Sequence, residues 1–256
     1  MRPFERIRDS QLWRSVFRSP APRDRRGRVM VILSNFFLHV HPVAVPRHAL
    51  RPRFTWCMGG ISLLLFLVET ITGALLMFYY RPTVECAYRD MLDLREVVSL
   101  GIVREIHRWG AHLMVIAVML HMARVFLTGS YKTPREFNWV VGVVLLVLTL
   151  LLSFTGYLLP WDQLSMWAVT VGANMVGAAP LIGAEGPGSF LISSGGRPWI
   201  TPHNDARYFM LGAASVGPET LNRFYVWHCV GLPIVAAVLM GVHFWRVRKD
   251  GISGPL

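Results

Sequence analysis

The chain has 256 residues, 53% of them hydrophobic and only 16% charged, with a formal net charge of +11. Soluble domains usually carry about 25% charged residues, so the composition favours a membrane protein. The positive charge does not indicate a nucleic-acid-binding protein, because the basic residues gather in the first 53 positions and in short segments beside long apolar runs. Cytoplasm-facing segments of membrane proteins have this distribution.

The N-terminal segment, residues 1–55, contains 12 of the 26 basic residues. Its first residues, MRPFERIRDSQLWRSVFRSP, have no apolar core like that of a secretory signal. Leu12, Trp13, Val16 and Phe17 are grouped in a mildly amphipathic stretch. We therefore predict a basic extension with a helix that lies on the membrane surface. A disordered basic tail is the alternative.

Four apolar segments are long enough to cross a bilayer, whose core of about 30 Å needs about 20 residues of helix. They are span A (56–79), span B (109–127), span C (139–159) and span D (224–245). We predict an all-α membrane protein in which residues 56–256 form a four-helix transmembrane bundle. A long outer loop rich in Gly and Pro, residues 160–223, joins spans C and D, and Met166 to Val171 is predicted as short helix along the outer surface.

The charges of the connecting segments predict the orientation of the bundle. The segments before span A, between spans B and C, and after span D are basic, whereas the A–B and C–D connections are nearly neutral or slightly acidic. Basic loops stay on the inner side, so both termini and the B–C loop are expected to face the cytoplasm or its equivalent. Spans B and D therefore run parallel to each other, from outside to inside.

Four histidines stand at matched spacings in or beside spans B and D. His107 and His121 are 14 residues apart, and His228 and His243 are 15 apart. At 3.6 residues per turn each pair returns to nearly the same helix face, within about 40° and 60°, and about 21–22 Å along the axis. Because spans B and D are parallel, His107 is expected to meet His228 on the outer side, and His121 to meet His243 on the inner side.

Two imidazoles from facing helices can hold a haem iron at both axial positions. The pattern therefore predicts two haem b groups, with electron transfer as their task because no iron position remains for oxygen. A single intramembrane histidine would be a hydrogen-bonded structural residue, but that interpretation does not explain two matched pairs. His112 lies about 140° and 180° from the shared face and is not expected to be a ligand.

Two glycine pairs repeat the histidine spacing. Gly59 and Gly73 in span A are 14 residues apart, as are Gly142 and Gly156 in span C. Glycine costs a helix about 1 kcal/mol relative to alanine but lets another group approach the backbone closely. We predict that these positions leave room for the porphyrin edges; helix–helix packing is the alternative.

Basic residues also stand near both ends of the predicted haem stack. The candidates for binding the anionic haem propionates are Arg104, Arg108, Arg124, Arg248 and Lys249. Each of them could instead serve only as an anchor at the lipid interface.

From about Arg53 to Leu256 the chain resembles the cytochrome b subunit of quinol–cytochrome c reductases and of their photosynthetic counterparts. The resemblance lies in WCMGGISLLLFLVETITGALLMFYYRPTV, HRWGAHLMVIAVMLHMARV, FTGYLLPWDQ, RFYVWHCVGLP and HFWRVRKDGISGPL. It is closer to cytochrome b6 in the histidine spacing of 15, in the end at GISGPL, and in Cys57. In cytochrome b6 the matching cysteine carries an additional haem by one thioether, so the resemblance implies a covalent c-type haem at Cys57. A small buried hydrophobe is the alternative.

The resemblance also implies a function and partners. Quinol would be oxidised at the outer face, giving one electron to a Rieske iron–sulfur protein and then to a c-type cytochrome or plastocyanin-like acceptor. The other electron would pass through the outer and inner haems to quinone at the inner face. Gly156, Tyr157, Pro160 and Trp161 would form one wall of the quinol-oxidation site. The family's PEWY motif is absent and is expected on a separate subunit of a homodimeric complex, in a bacterial inner membrane or a thylakoid-like membrane.

Three departures from the b6 pattern indicate a bacterial relative. The N-terminus is about 20 residues longer, and about 20 residues around 184–206 are inserted in the outer loop. The insertion is interpreted as a variable loop or as a contact for an electron-carrier subunit. Glu69 replaces a neutral amide in span A, either as a proton-pathway residue or as a protonated packing residue.

Three other functions remain as alternatives. A two-haem anchor of a dehydrogenase or hydrogenase would also use intramembrane histidines, but it lacks the glycine pairs and the GYLLPWDQ segment. A haem-free proton-coupled transporter would use the histidines as proton relays. A purely structural membrane anchor leaves the histidine pattern unexplained.

Overall fold

Long apolar helices account for most of the computed structural model, which describes residues 10–16, 24–33, 56–194 and 197–251. The helices in chain order are α1 Gln11–Val16, α2 Arg25–Leu33, α3 Met58–Met77, α4 Ala87–Glu96, α5 Val98–Leu127, α6 Glu136–Leu158, α7 Gln163–Gly177, α8 Ala206–Leu211, α9 Pro218–Val226 and α10 Leu232–Asp250. A 3₁₀ turn, Ser189–Leu191, precedes two short antiparallel strands, β1 Ser193–Ser194 and β2 Arg197–Pro198.

The four predicted spans are present as four continuous helices, and the predicted fold class is confirmed. Spans A, B and C are α3, α5 and α6, while span D consists of α9, a π-helical segment Trp227–Gly231, and α10. Large apolar side chains on these helices are exposed, among them Leu64, Leu113, Val140 and Val238. Such a surface is suited to lipid, and the helices satisfy their own backbone hydrogen bonds, as the bilayer core requires.

Two spans are longer than the apolar runs that predicted them. Span B begins at Val98 rather than near Trp109, and span D extends over Pro218–Asp250. The helix of span B continues through Arg104, Glu105 and Arg108, whose charges pair with one another along the helix surface. Hydropathy marks the part of a helix inside the hydrocarbon, whereas charged but helix-forming residues extend the helix beyond it.

The predicted N-terminal helix is present as α1 and contacts the ends of spans C and D. The fully buried Arg246 of span D donates hydrogen bonds to the backbone carbonyls of Ser15 and, at 3.0 Å, Val16. The hydroxyl of Ser15 accepts the backbone N–H of Phe137 at 3.1 Å. Residues 17–23 and 34–55 lie outside the described residues, so the membrane-surface position of the helix stays a prediction.

The outer loop 160–223 is largely helical. Its main helix, α7, is longer than the predicted Met166–Val171, because the Asp162 carboxylate caps it by accepting the Ser165 backbone N–H at 2.8 Å. One face of α7 is buried against the apolar cluster that contains Leu158 and Phe224. These contacts fix α7 between the end of span C and the beginning of span D.

The inserted segment 184–206 closes on itself. The Asp205 carboxylate accepts the backbone N–H of Ala184 at 3.2 Å, and the Ala206 N–H donates to the Ile182 carbonyl at 2.9 Å. A further ion pair joins Arg207 and Glu185 at 2.9 Å. A loop whose ends meet in this way can be inserted without displacing the elements on either side.

Polar contacts hold the A–B connection together and join it to the end of span C. Asp90, 4% exposed, accepts the Arg81 backbone N–H at 2.8 Å and its guanidinium Nε–H at 3.1 Å. The neighbouring guanidinium lowers the pKa of the Asp90 carboxyl. The hydroxyl of Tyr80 donates to the Leu159 carbonyl at 2.6 Å, and burial raises the pKa of this phenol.

The residues form two compact units, each containing one of the predicted histidine pairs. We call them the His107 unit, Phe66–His112 with Leu150–Ile234, and the His121 unit, the described parts of Met1–Leu65, Leu113–Thr149 and Val235–Leu256. The predicted domain boundary at residue 55 adjoins residues outside the described ranges and stays a prediction.

Candidate functional site: two facing histidine pairs

In the His107 unit, the side chains of His107 and His228 face each other. Their ring centroids are 6.1 Å apart and the ring planes are almost perpendicular, at 88°. His107 lies on α5, whereas His228 lies in the π-helical segment of span D. The structure therefore brings together the first pair predicted from the sequence.

In the His121 unit, His121 of α5 and His243 of α10 have the same arrangement. The ring centroids are 6.4 Å apart, with an angle of 78° between the planes. His112 joins neither pair: it is exposed, its Nδ1 lies 2.6 Å from the Arg108 carbonyl, and its ring is tilted against Trp109.

The π-helical segment accounts for the unequal histidine spacings. A π-helical turn contains about one more residue than an α-helical turn. Trp227–Gly231 includes His228 and so takes up the extra residue that separates the spacing of 15 in span D from the spacing of 14 in span B. A uniform α-helix of 3.6 residues per turn does not include this turn, although the unequal spacing is a signal of it.

Each of the four predicted glycines faces a different one of the four histidine rings. A Cβ atom added at the glycine would lie at the following distances from the ring Cε1: Gly156 to His228 2.5 Å, Gly73 to His107 3.1 Å, Gly59 to His121 3.6 Å, and Gly142 to His243 3.7 Å. Gly60 and Gly241, by contrast, have no atom within 4 Å of such a Cβ. The repeated spacing thus corresponds to close approach between glycine backbones and histidine rings.

Two threonines that the sequence analysis missed orient one of the pairs. Thr72 Oγ1 lies 2.9 Å from His107 Nδ1, and Thr155 Oγ1 lies 3.2 Å from His228 Nδ1. Each hydroxyl donates to a carbonyl of its own helix, so its oxygen can accept a hydrogen bond from the imidazole N–H. This tautomer leaves Nε2 of both rings available for a metal. A signal was present in the sequence, because both threonines directly precede a predicted glycine.

The pairs have the dimensions and ligand number that a haem requires. A metal–nitrogen distance of about 2.0–2.1 Å on each side places the centroids of two opposed imidazoles about 6 Å apart. The measured separations of 6.1 and 6.4 Å match this value. The described residues contain no group of three or more His, Cys, Asp or Glu that could hold a metal ion. Two protein ligands suit an iron whose other four ligands belong to a porphyrin.

The five basic residues that were predicted to bind the haem propionates differ in their contacts and in their exposure. Arg104 and Arg108 both pair with Glu105, at 2.9 Å for Arg104 Nη1 and 3.0 Å for Arg108 Nε. Lys249 is exposed and lies 5.3 Å from the Trp245 ring centroid. Arg124 and Arg248 are half-buried in the His121 unit. For all five residues, binding of the haem propionates stays a prediction.

The predicted wall of the quinol site lies at the end of span C and the residues that follow. Gly156 faces His228, and Tyr157 is 52% exposed while its carbonyl accepts the Ser165 hydroxyl at 3.0 Å. Trp161 packs partly buried beside Tyr80, and Pro160 is half-buried. Tyr157 therefore offers the largest open surface of the four.

Cys57 lies at the start of span A in the His121 unit. It is exposed, and its φ of 52° places it in the left-handed region, which is uncommon for a residue other than glycine. Its carbonyl accepts the Ile61 N–H at 2.8 Å, and two residues later Gly59 faces the His121 ring. The cysteine is thus exposed and stands two residues before a glycine that faces the His121 ring.

Known proteins are similar to this chain in sequence and fold. Residues 46–191 match the family described as Cytochrome b/b6/petB. Cytochrome b6 of Heliobacterium mobile is 42% identical over 217 residues, covering 84% of this chain and 91% of that protein, and cytochrome b6 of Heliomicrobium gestii has the same values. A solved chain from "Hyperthermophilic respiratory Complex III" has a TM-score of 0.67 at 26% identity; the match covers 98% of this chain and 56% of that chain. The chain belongs to the cytochrome b/b6 family, which makes it an integral membrane protein of the b-type cytochrome class.

Proposed function

We propose that this chain binds two b haems, one between His107 and His228 and the other between His121 and His243, and carries electrons through a quinol-oxidising membrane complex. The observation that supports this most directly is the arrangement of two facing imidazole pairs, each opposed by two glycines. Neither a proton relay nor a structural anchor requires close approach of glycine backbones to histidine rings.

A bound haem supplies a reversible one-electron iron couple. The residues of the chain determine how it is held. The Nε2 atoms of each pair would bind from opposite sides and exclude other ligands, and Thr72 and Thr155 would hold Nδ1 of one pair. The glycines leave space beside the rings.

The wider reaction is proposed from the relatives, since one of them is part of a respiratory complex III and others are cytochromes b6. Quinol would be oxidised on the outer side, with Gly156, Tyr157, Pro160 and Trp161 as one wall, and quinone would be reduced on the inner side. The partners would be a Rieske protein, an acceptor such as a c-type cytochrome, and a subunit that carries the PEWY-type half. We expect a homodimeric assembly in a bacterial inner membrane.

A pyridine haemochrome spectrum of the purified complex, with haem counted per chain before and after acidic acetone extraction, tests the haem assignment. Two extractable b haems in each chain are expected. Well-folded protein that contains no haem would contradict the proposed function and would favour a haem-free transporter.

We also propose that Cys57 carries a third, covalent c-type haem. Its exposure and its position two residues before Gly59 support this. A haem that stays with the polypeptide after extraction is therefore expected, and Cys57→Ser should remove that haem while both extractable haems remain. Cys86→Ser is the matched control and should leave all three. If the wild-type chain retains no haem after extraction, Cys57 has no covalent role and the two-haem assignment still stands.

A further inference from the structure

The fully buried Arg246 joins α10 to the N-terminal helix α1. Its guanidinium donates hydrogen bonds to the backbone carbonyls of Ser15 and, at 3.0 Å, Val16. These two residues are the last of α1, where carbonyls have no partner within the helix. The guanidinium also lies 3.3 Å from the Asp250 carboxylate, one turn further along α10. A buried cation needs such partners, so the packing of this part of α10 depends on α1.

The same end of α1 also holds the beginning of span C. The Ser15 hydroxyl accepts the backbone N–H of Phe137 at 3.1 Å. This N–H belongs to the first turn of α6, where no carbonyl of the helix itself can accept it. The Arg246 guanidinium lies 5.3 Å from the centre of the Phe137 ring. Ser15, Phe137 and Arg246 therefore connect three helices, and we call these three residues the α1 latch.

The α1 latch lies close to the point where spans C and D meet at His243. Arg246 is three residues after His243 on α10, which is about 4.5 Å along the axis and within about 60° of the same helix face. On α6, Phe137 is five residues before Gly142. A Cβ atom added at Gly142 would lie 3.7 Å from His243 Cε1, so the two helices approach closely there. A displacement at the latch would therefore change the spacing between Gly142 and His243.

His243 is held less directly than its counterpart in the other pair. The Nδ1 atom of His228 has a hydroxyl oxygen at 3.2 Å and a carbonyl oxygen at 3.1 Å as partners. The Nδ1 atom of His243 is buried and has no hydrogen-bond partner among the described residues, although the Asn138 backbone is near enough to influence it. Asn138 directly follows Phe137 of the latch. The orientation of His243 therefore depends on the positions of α6 and α10 themselves.

We propose that the α1 latch positions His243 and thereby determines how tightly the chain retains the haem assigned to His121 and His243. Ser15 and Arg246 are positioning residues, because they act through the helices that carry Gly142 and His243. Without the latch, the ends of α6 and α10 lose the contacts that hold them to α1, and this haem is released faster. The role rests on the proposed function, and it gives the N-terminal helix a part in haem binding.

The first test breaks α1 without changing either span. Ser15→Pro removes the hydroxyl, and the proline ring clashes with the preceding turn of the helix. We expect the purified complex to transfer the haem assigned to His121 and His243 to apomyoglobin about tenfold faster than wild type, because a hydrogen bond to a charged donor is worth about that factor or more. The low-spin ferric EPR signal of this haem should also move, whereas the signal of the other haem should not. His121→Leu and His228→Leu, each expected to lack one haem, identify the two signals.

A second variant breaks the latch from the side of span D. Arg246→Met combined with Asp250→Asn removes both members of the ion pair, so that neither charge is left buried alone. It should affect the same haem, and adding Ser15→Pro should change little more, because both variants act through one contact. Arg26→Leu, which removes an exposed cation of α2 in the same N-terminal segment, is the control. It should release both haems at the wild-type rate.

Two outcomes would overturn the role of the α1 latch while leaving the proposed function intact. One is wild-type release rates and EPR signals in both latch variants, with two b haems present. The other is equal acceleration for both haems, because a general loss of stability would then explain the result without any positioning of His243. If the Arg246→Met, Asp250→Asn variant does not assemble, Ser15→Pro alone decides between these outcomes. Absence of haem from the wild-type complex would instead overturn the proposed function.

Discussion

Replacing His228 by leucine is expected to remove one b haem from each chain and leave the other bound. His228 is one of only two protein ligands proposed for its haem, and an apolar side chain cannot supply the missing axial nitrogen. Leucine suits the apolar span. The two hydrogen bonds that the change removes go to neutral oxygens. One is the Thr155 hydroxyl, which also donates to a carbonyl of its own helix, and the other is the backbone carbonyl of Leu152. Haem content measured by pyridine haemochrome should fall from two to one extractable group.

His112→Leu is the matched control, because His112 is also in the membrane-spanning part of the chain but faces neither pair. It should keep both haems with unchanged spectra. His121→Leu should remove the other haem, and a redox titration would then show the remaining component alone. If His228→Leu retains two low-spin haems, the pairing of His107 with His228 as iron ligands is wrong.

The histidine pairs were predictable because helix geometry is regular. A period of 3.6 residues relates His107 to His121, and the positive-inside distribution of charge made spans B and D parallel. Those two regularities were enough to predict which histidines meet. The same reasoning selected the four glycines from their spacing, and the structure adds that each of them approaches a different ring.

Features that depend on local irregularity or on distant contacts could not be predicted. The π-helical turn at Trp227–Gly231 adds one residue without any change in composition, so hydropathy does not detect it. The burial of Arg246 depends on carbonyls of α1, more than 200 residues away in the chain. The Asp205 carboxylate likewise closes the insertion by accepting the backbone N–H of Ala184, which lies at the other end of the segment. Sequence periodicity contains no information about such pairings.

Gly156→Ala is expected to disturb the haem at His228 although alanine favours helix. The new Cβ atom would lie 2.5 Å from the His228 ring, closer than real side chains approach, so the ring must move. Helix propensity alone predicts the opposite sign, a gain of about 1 kcal/mol for glycine to alanine. Haem occupancy should fall, by close to one haem per chain for the larger Gly156→Val, measured by haemochrome and by the EPR signal of the remaining ferric haem.

The four glycines allow this expectation to be graded. The distance from an added Cβ to the facing ring is 2.5 Å at Gly156, 3.1 Å at Gly73, 3.6 Å at Gly59 and 3.7 Å at Gly142. Alanine should therefore perturb haem binding most at Gly156, less at Gly73 and least at the other two. Gly60→Ala and Gly241→Ala, which meet no atom within 4 Å, are controls that should retain both haems. Equal tolerance of alanine at Gly156 and Gly60 would mean that the glycines serve helix packing, because only a role in spacing the rings makes the effect depend on these distances.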